Sequence, residues 1–546
     1  MKVSWCTFSG FSFLLFRSPS VVGTRYRKNL RCPFLEKNRM HVMDCSSFPV
    51  QIKPEIELNK VEQRIFDYLL GTVRHFRLDT ELRVAGGWVR DKLLGKDCYD
   101  IDIAIDNMLG SDFVDKVREY MLISGEEAQG VGIIPRNPEQ SKHLETARMR
   151  LCDLWIDFVN LRSEDYSENT RIPTMEFGTA KDDAYRRDLT INSLFYNINE
   201  ATVEDFTQRG IEDLRKGKIV TPLPPKTTFL DDPLRVLRAI RFGARFDFEL
   251  DEELKEAASC EEVRTALSAK ISKERIGTEI DLMISGSNPV TAMTHISDFM
   301  LYDAVFALPL CFEPSLSHDF QRISVAYLGT AWELINEIGY SSFSDDERRI
   351  ALYSALFLPF KDSKYKDFKG KKIPIANYII KDSLKRKTSD SEMVVKVHSS
   401  TEKIVKLTDG KLISADEFRE ETDFLNACDE SKMRVVWGFL LREIKDLWRV
   451  ALLIATLLRV NGGIGLFNAA EARIRGLGLE KIWEEKPLLN GKEIMNVLEL
   501  KSGGPLVSEW QRKVVGWQLA HPSGTCEQCV EWVKESCNKR TKLCDL

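Results

Sequence analysis

The spacing of apolar residues changes near residue 229. Between residues 57 and about 225, short alternating runs typical of strands stand among stretches with helical spacing. The expected strands are 82–86, 99–105, 144–151, 153–160 and 201–206. The expected helices are 57–75, 88–95, 111–123 and 188–197. Beyond residue 229 the strand signal fades and the spacing is helical.

This pattern predicts an α+β fold in which a head with a mixed sheet precedes a helical remainder. A chain of 546 residues is long enough for several domains. We expect an N-terminal extension over 1–45, the head over 46–225, a helical neck over 226–290, and a helical body and tail over 291–546. No apolar stretch reaches the length of a membrane span, so we expect no membrane-spanning segment.

The charge balance limits how the protein could bind nucleic acid. The formal net charge is −5, so any such contact must come from local basic surfaces and not from the overall charge. The densest basic stretch is 361–387, in which Tyr365, Phe368 and Tyr378 stand among lysines. It is either a solvated surface or a contact with a phosphate backbone.

The first 35 residues differ in composition from the rest of the chain. They carry six lysines and arginines and several serines, and the first acidic residue is Glu36. This composition is typical of a transit peptide for mitochondria or plastids. A secretory signal at 8–16 and a disordered extension are the alternatives. Translation from Met40 or Met43 would give a protein without the segment, destined for the cytoplasm or nucleus.

The twelve cysteines are spread along the chain, mostly within apolar or helical runs, which is typical of thiols in a reducing compartment. The C-terminal group of Cys526, Cys529, Cys537 and Cys544 begins with a spacing that zinc sites use. Its first three members also fall near one face of an amphipathic helix. A packed helix is therefore the favoured interpretation, with a zinc site as the alternative.

Two aspartates occur inside one predicted strand. In 100–105 the period of two sends three isoleucines to one face and both Asp100 and Asp102 to the other. Carboxylates in this arrangement repel each other unless a cation lies between them. Mg²⁺ prefers such hard oxygen ligands, and two ions support in-line displacement at phosphorus. The pair therefore predicts a two-metal site, with a solvated sheet edge as the alternative.

A pair of glycines precedes the aspartates. Gly86 and Gly87 stand where a strand turns into a helix, so that backbone N–H groups could approach a triphosphate. Arg90 lies on the first turn of that helix and could reach the same anion. A glycine pair alone indicates only a tight turn. Together with the aspartates that follow, it favours a nucleotide site.

Two further motifs follow in order. They are "RRDLTINSLFYN" at 186–197 and "DDPLRVLRAIRFGARF" at 231–246. The four ordered motifs resemble the class II tRNA nucleotidyltransferases, the CCA-adding enzymes, in their eukaryotic form. The resemblance covers about residues 55–290 and continues more weakly beyond. It implies a polymerase-β-like nucleotidyltransferase head, followed by an all-helical neck, body and tail that hold the tRNA.

The resemblance assigns the 186–197 motif to nucleotide binding, through Arg187, Asp188 and Asn192, and ribose recognition to its first residues. The chemistry agrees, since Asp188 can accept from a 2′-hydroxyl and Arg187 can donate to ribose or phosphate oxygens. By the same resemblance, 130–146 is a flexible loop that follows the strand bearing the two aspartates. In 153–160, Asp157 alternates away from its apolar neighbours and is a candidate third carboxylate.

The second motif is assigned to reading the incoming base without a nucleic-acid template. We expect Asp232 and Arg235 to share one helical face, where they would pair with the amine and ring nitrogen of cytosine or adenine. Uracil and guanine present the opposite pattern and would be rejected. Arg238 matches a nucleotide-binding arginine. Asp231 stands where relatives commonly carry glutamate.

The resemblance therefore implies an enzyme that adds C, C and A to tRNA 3′ ends from CTP and ATP, with Mg²⁺ and release of pyrophosphate. The tRNA hydroxyl would attack the α-phosphorus while Asp100 and Asp102 hold the ions. A poly(A) polymerase or an A-only enzyme on the same head is the nearest alternative. A non-catalytic tRNA-binding protein is an alternative of another class.

Overall fold

The computed structural model describes the chain from residue 50 to residue 544 with several gaps. The described ranges are 50–125, 130–134, 146–165, 174–408, 422, 424–425, 428–459 and 463–544. The N-terminal extension and most of the loop predicted at 130–146 lie outside the described residues. None of the described helices is both long and apolar enough to cross a bilayer.

The head is built around one mixed sheet. Its helices are α1 (Lys60–His75), α2 (Gly87–Leu93), α3 (Gly110–Ile123), α4 (Ala180–Tyr185) and α5 (Gly210–Lys216). Its strands are β1 (Leu82–Ala85), β2 (Ile101–Ile105), β3 (Val131–Ile134), β4 (Thr146–Leu151), β5 (Leu154–Asn160), β6 (Arg162–Asp165), β7 (Thr174–Phe177), β8 (Phe195–Asn197) and β9 (Thr202–Glu204). The main sheet has the order β3-β4-β5-β2-β1-β8-β9, and β6 pairs separately with β7. Only β2 and β5 are parallel neighbours in the main sheet as described.

Strand β2 has the alternation that the sequence predicts. Ile101, Ile103 and Ile105 are buried in the main apolar core. Asp102 points to the opposite face, where Ala104 belongs to a small cluster formed with residues of β1, β8 and α4. One face of the sheet thus packs on the core, and the other leaves room for a polar site.

The helix predicted at 188–197 is wrong. This segment holds a short 3₁₀ helix (Thr190–Asn192) and then β8, which pairs with β1. Every residue of 188–197 is buried, so the apolar pattern reflects burial on all sides and not one helical face. The Ser193 hydroxyl lies 2.9 Å from the carbonyl oxygens of Ala184 and Leu189, and by donating to either of them it holds the turn.

The loop predicted at 130–146 also needs correction at its ends. Val131–Ile134 forms β3, which pairs with β4 in antiparallel fashion. The intervening residues 135–145 lie outside the described residues. The other strands and helices predicted for the head agree with the structure to within a few residues.

The segment after the head, which we call the neck, is mainly helical, and its last helix runs to Asp298, past the predicted bound at residue 290. Its helices are α6 (Pro225–Asp231), α7 (Leu234–Phe246), α8 (Glu252–Ala258), α9 (Glu261–Lys270), α10 (Lys273–Ile284) and α11 (Pro289–Asp298). A short parallel pair of strands, β10 (Lys218–Ile219) and β11 (Glu249–Leu250), joins the end of the head to the turn after α7. One buried apolar cluster runs from the head into these helices, with Trp88 on α2 and Phe229, Leu237 and Ile240 on the neck side. Head and neck therefore share a core.

Beyond residue 298, the part of the chain that the structure describes is mostly helical and also contains one hairpin. Its helices are α12 (Tyr302–Val305), α13 (Phe320–Ile338), α14 (Asp345–Leu356), α15 (Ile375–Tyr378), α16 (Thr388–Thr408), α17 (Asp429–Ile444), α18 (Trp448–Leu457), α19 (Ile464–Gly476), α20 (Gly491–Val497), α21 (Pro505–Ala520) and α22 (Cys526–Cys544). Strands β12 (Lys364–Lys366) and β13 (Lys372–Pro374) form the hairpin.

The C-terminal cysteines lie on helix α22. Cys529 and Val533 are fully buried one turn apart, so this face packs into the core. Burial raises the pKa of the Cys529 thiol to about 11, which disfavours the thiolate that zinc requires. Among the residues that the structure describes, no group of three metal-ligating side chains occurs, and the side chain of Cys544 is outside them.

Candidate functional site

A cleft of about 680 Å³ opens between the head sheet and the neck helices α7 and α10. The predicted site residues line it, except Gly86 and the candidate third carboxylate, Asp157. Eight arginines and five aspartates are among the lining residues, so the cleft is rich in both charges with cations in excess. The arginines are Arg90, Arg162, Arg186, Arg187, Arg235, Arg238, Arg245 and Arg275. Such a lining suits a polyanion bound together with a cation.

Gly86 lies behind the cleft wall, at the turn from β1 into α2. Its φ of 74° and ψ of −117° belong to a region that residues with a Cβ rarely adopt. A Cβ here would lie 2.7 Å from Nη1 of Arg187 and 3.2 Å from the carbonyl oxygen of Asn192. Gly87 begins α2, and a Cβ there would meet only Arg90 Nη2, at 3.6 Å. Gly86 therefore makes room for Arg187.

Asp100 and Asp102 both reach the cleft. Asp100 is exposed just before β2, and Asp102 is partly buried within the strand. Burial first, and the charge of Asp100 second, raise the pKa of Asp102 to about 6. A divalent cation bound between the two carboxylates would offset both the burial of Asp102 and its repulsion by Asp100. Two carboxylates suffice for Mg²⁺ when phosphate and water oxygens complete its shell, so this pair fits the ion.

Asp157 is the cross-strand neighbour of Asp102 in the parallel pair of β2 and β5. It does not line the cleft, because Arg148 on β4 holds it, with Nε 2.5 Å from Oδ1 and Nη2 3.3 Å from Oδ2. The positive charge of the guanidinium balances this carboxylate, as a bound metal ion would. The structure therefore gives Asp157 a partner within the sheet and does not add it to the pair in the cleft.

Asp188 is buried and accepts three hydrogen bonds. Its Oδ1 accepts from the Leu189 N–H at 2.9 Å and from Asn192 Nδ2 at 3.1 Å, and its Oδ2 accepts from Arg238 Nε at 2.6 Å. Burial alone would raise the pKa of Asp188, but the charge of Arg238 and these hydrogen bonds lower it to about 2. Asp188 is thus a permanent anion at the wall of the cleft.

Arg187 is oriented by residues on three sides. Its Nε donates to Asp183 Oδ2 at 2.9 Å, its Nη1 donates to the Asn192 carbonyl at 3.3 Å, and its guanidinium lies 5.2 Å from the ring of Phe195. The Asp183 partner is 2% exposed. The guanidinium is therefore held in one orientation at the cleft surface.

Arg90 is less available than the sequence suggests. It is 3% exposed, pairs with Asp91 at 2.8 Å, and lies 5.0 and 4.8 Å from the rings of Phe242 and Phe246 on α7. Its Nη1 donates to Asn192. Burial lowers its pKa, although a guanidinium remains charged. Arg90 thus connects the glycine turn to the neck and supports the 186–197 motif from behind.

The expectation that Asp232 and Arg235 share one helical face is wrong. Asp232 ends α6 in an extended conformation, with φ −131° and ψ 97°, and Arg235 belongs to α7. The following residue is Pro233, which excludes the helical region for the residue before it. Asp232 Oδ1 instead accepts from the Leu234 N–H at 3.2 Å. Both side chains nevertheless line the cleft, because the break in the chain between α6 and α7 directs them to the same side.

Helix α10 supplies one further cleft residue, Arg275, and a buried carboxylate behind the cleft arginines, Glu279, neither of which was predicted as a site residue. Arg275 donates from Nη2 to Asp232 Oδ2 at 2.9 Å. One turn later, Glu279 accepts from Arg241 Nε at 2.6 Å and lies 3.9 Å from Arg238 Nη1. The signal was present, since Arg275 and Glu279 are four residues apart on one helical face. Nothing in the sequence alone indicated which helix that face would meet.

Comparison with known proteins decides the family. The chain matches the family described as "Poly A polymerase head domain" over residues 82–220. It is 32% identical over 537 residues to a protein of Candida glabrata named "CCA tRNA nucleotidyltransferase, mitochondrial", covering 88% of this chain and 96% of that one. A protein of the same name from Saccharomyces cerevisiae is 33% identical, with 88% and 94% covered.

The chain belongs to the CCA tRNA nucleotidyltransferase family. The fold agrees with solved structures of CCA-adding enzymes. A Bacillus stearothermophilus enzyme in complex with CTP has a TM-score of 0.59 at 17% identity, covering 89% of this chain and 100% of that one. A Thermotoga maritima enzyme complexed with tRNA has a TM-score of 0.56 at 20% identity, covering 88% and 96%. The predicted head with a mixed sheet and helix-rich remainder is confirmed for this family member.

Proposed function

We propose that the protein adds C, C and A to the 3′ end of tRNA, using CTP and ATP and releasing pyrophosphate. The observation that carries this proposal is the convergence of Asp100, Asp102, Asp188, Asp232 and Arg235 on one cleft in a member of this family. Relatives whose names state this activity match nearly the whole chain. The solved neighbours include complexes with CTP, with ATP and with tRNA.

We propose that Asp100 and Asp102 hold Mg²⁺ when nucleotide is bound. The ion, when present, lowers the energy of the developing negative charge on the phosphate oxygens. The tRNA terminal hydroxyl attacks the α-phosphorus of the nucleotide and gives its proton to solvent. The bond between the α-phosphorus and the oxygen that bridges to the β-phosphorus breaks, and pyrophosphate leaves with that oxygen. The arginines of the cleft compensate the triphosphate charge, and Arg187 is oriented for this by Asp183.

The roles of the other site residues follow from their chemistry. Asp188 and Arg187 face the ribose, as acceptor and donor for its hydroxyls. Asp232 accepts from the exocyclic amine of cytosine or adenine, and Arg235 donates to the adjacent ring nitrogen. Asn192, Arg90 and Arg238 keep Asp188 and its neighbours in place through the contacts described above. One set of side chains thus selects both bases without a template.

The alternative of an A-only enzyme or a poly(A) polymerase has weaker support. An A-adding enzyme of Halalkalibacterium halodurans is 26% identical and covers 50% of this chain, and a poly(A) polymerase of Salmonella typhi is 28% identical over 41%. The CCA-adding relatives match the helical remainder as well. Our proposal therefore includes the two C additions.

The test is nucleotide incorporation into tRNA that lacks its CCA end. We expect labelled CTP alone to add two residues, ATP alone to add none or few, and both together to complete CCA. Incorporation from ATP alone with none from CTP would favour the A-only enzyme. No incorporation by folded protein, with tRNA binding retained, would favour a non-catalytic tRNA-binding protein.

A second assay tests the metal assignment. Asp100→Ala and Asp102→Ala should abolish incorporation while tRNA binding persists, because losing a carboxylate ligand removes several kcal/mol of transition-state stabilisation. Titration of Mg²⁺ into the nucleotide complex by calorimetry should show weaker binding in both variants. Unchanged Mg²⁺ affinity with normal turnover would overturn the assignment.

We propose import into mitochondria, directed by the N-terminal extension. The Candida and Saccharomyces relatives carry the word mitochondrial in their names, and the acid-free basic composition of the first 35 residues favours import. Plastid import, and cytoplasmic or nuclear forms begun at Met40 or Met43, extend the same proposal.

A further inference from the structure

A short hairpin projects from the body of the protein. It consists of β12 (Lys364–Lys366), β13 (Lys372–Pro374) and the turn between them, and we call residues 364–374 the lysine hairpin. The strands are antiparallel, with Lys366 directly opposite Lys372 and Tyr365 opposite Ile373. The hairpin is anchored to the chain before α13 by a backbone bridge between Lys364 and Glu313.

The two faces of the lysine hairpin differ in character. Tyr365 and Ile373 are half-buried, and the Tyr365 ring meets the edge of Tyr378 with centroids 5.3 Å apart. The opposite face is exposed and carries Lys366 and Lys372. The turn adds Lys369 and Lys371, and its Phe368 is 93% exposed. The inner face therefore supports the hairpin, and the outer face and turn are free of packing.

The lysines of the hairpin have no carboxylate partner among the residues that the structure describes. Those concerned are Lys364, Lys366, Lys369, Lys371 and Lys372, and none of them takes part in an ion pair there. Nearby Lys361, by contrast, pairs with Asp362 and Glu402. The one acid in the turn, Asp367, accepts from the backbone N–H groups of Lys369 and Lys371 at 2.9 and 2.8 Å. The hairpin surface is thus strongly cationic in a protein of net charge −5.

This arrangement opposes folding instead of helping it. Like charges directly opposite each other destabilise an antiparallel pair, and an isolated two-stranded hairpin is marginal in water. The exposed Phe368 ring contributes no burial energy to the fold, and Lys369 Nζ lies 5.4 Å from the ring centroid. A cluster of unpaired lysines around one exposed aromatic ring is instead the chemistry that binds RNA, in which lysines meet phosphates and the ring stacks on an unpaired base.

We propose that the lysine hairpin is an RNA-binding element that contacts the phosphate backbone of tRNA and stacks Phe368 on an unstacked base. The identity of the RNA rests on the proposed function, whereas the binding chemistry rests on the hairpin itself. Affinity from this element is electrostatic and falls as salt rises. The stacking contribution is insensitive to sequence, because every base has an aromatic face.

The charge part of the proposal is tested with Lys366→Gln/Lys372→Gln. The measurement is the dissociation constant for fluorescent tRNA lacking CCA, by anisotropy, over a range of KCl concentrations. We expect weaker binding, and a slope of log Kd against log salt that is lower by roughly 0.7 to 0.9 for each phosphate that the variant no longer neutralises. The matched control is Lys53→Gln/Lys216→Gln, which removes two lysines that already pair with Glu57 and Glu212. Equal slopes in the two double variants would overturn the proposal.

The stacking part is tested at Phe368. Phe368→Leu should weaken tRNA binding roughly fivefold or more, since a base stacks on an aromatic ring and not on an aliphatic side chain, and Phe368→Trp should restore it. An exposed ring and lysines also suit an anionic membrane, so binding to vesicles of phosphatidylcholine with one third phosphatidylserine is measured as well. Vesicle binding that Lys366→Gln/Lys372→Gln loses, together with tRNA binding that neither hairpin variant changes, would assign the hairpin to lipid and refute our proposal.

The proposed activity and the proposed RNA binding by the hairpin can be refuted independently. If the wild-type protein completes CCA but the hairpin variants bind tRNA normally, only the RNA-binding proposal is wrong. If the wild-type protein incorporates no nucleotide yet the variants lose affinity for tRNA, only the proposed activity is wrong. We expect all variants to have matched thermal melts, because the substituted side chains are exposed.

Discussion

Arg275 on α10 donates from Nη2 to Asp232 Oδ2 at 2.9 Å, across the break between α6 and α7. The other oxygen of Asp232 accepts from the backbone N–H of Leu234 at 3.2 Å. Both carboxylate oxygens therefore have a fixed direction before any base arrives. A side chain held in this way loses little entropy on binding, and it discriminates by geometry because it cannot turn to suit a wrong base.

Asp232→Ala should relax base selection. With the acceptor gone, the amine of cytosine or adenine loses its partner, and we expect discrimination against UTP and GTP to fall by roughly 1 to 3 kcal/mol. The measurement is kcat/KM for all four triphosphates, on variants with matched thermal melts. If Asp232→Ala keeps the wild-type order of preference and only loses stability, the base-reading role is wrong.

Asp102 should impose a pH-dependent cost on the fold in the absence of divalent cation. Its pKa is raised from 3.8 to about 6, first by burial and second by Asp100, so the folded protein holds this proton more tightly than the unfolded chain. Between pH 4 and 6 the cost of ionising Asp102 grows, and above pH 6 it is fully present. Asp102→Asn should therefore be more stable than wild type at pH 8, by roughly 3 kcal/mol, and equal to it below pH 4.

Denaturant unfolding in EDTA at both pH values checks the Asp102 prediction. Asp157→Asn offers a comparison, since Arg148 compensates Asp157 and its removal leaves a guanidinium without its partner. We expect that variant to lose stability at pH 8. An Asp102→Asn protein less stable than wild type at pH 8 would mean that Asp102 is favourably paired in the free enzyme.

Gly86→Ala should disturb the site, whereas Gly87→Ala should not. The backbone at Gly86 has a φ of 74°, and an added Cβ would press on Arg187 at 2.7 Å. We expect a loss of roughly 1 to 3 kcal/mol in stability, together with a higher KM for CTP. At Gly87 the nearest contact is an ordinary 3.6 Å. The measurements are the Tm and the KM for CTP of both variants. Equal values for Gly86→Ala and Gly87→Ala would contradict the role that we give to the backbone at Gly86.

Arg187→Ala should weaken the preference for ribonucleotides. A charged donor facing the ribose contributes about ten- to a hundredfold, and dCTP lacks one hydroxyl to receive it. The ratio of kcat/KM for CTP to that for dCTP should drop, with the order of preference among the four bases retained. If Arg187→Ala lowered the selectivity among bases instead, the ribose-binding role that we assign to Arg187 would be wrong.

Residues 1 to about 40 should carry a fluorescent reporter into mitochondria or plastids. The expectation rests on the six basic residues that precede the first acidic residue, Glu36. Protein begun at Met40 or Met43 should stay outside these organelles and keep its activity, because the first described helix starts only at Lys60. A secreted reporter, or activity lost on removal of residues 1–39, would disagree with this prediction.

The sequence was informative wherever one face of an element is polar. The alternation around Asp102 predicted a strand with a buried and an open face, and β2 has both. It failed at 188–197, where burial on every side erased the periodicity that separates helix from strand. There, tertiary packing and the hydrogen bonds of Ser193 decide the conformation.

The proposed base-reading pair shows a second kind of limit. The identities of Asp232 and Arg235 were evident from the motif, but their spacing of three suggested a helix face that Pro233 prevents. Arg275, more than 40 residues away, could not be connected to Asp232 by any local rule. Long-range partners of this kind depend on how helices pack, which one sequence without its fold does not reveal.

The contacts of Arg90 with Phe242 and Phe246, and of Asp188 with Arg238, bind the head to the first long helix of the neck. The two parts also share one apolar core. A protein cut at residue 225 would lose the rings that cover Arg90 and the guanidinium that pairs with Asp188. The sheet and α7 should therefore melt as one cooperative unit, and the catalytic head could not be transplanted by recombination unless the neck helix travelled with it.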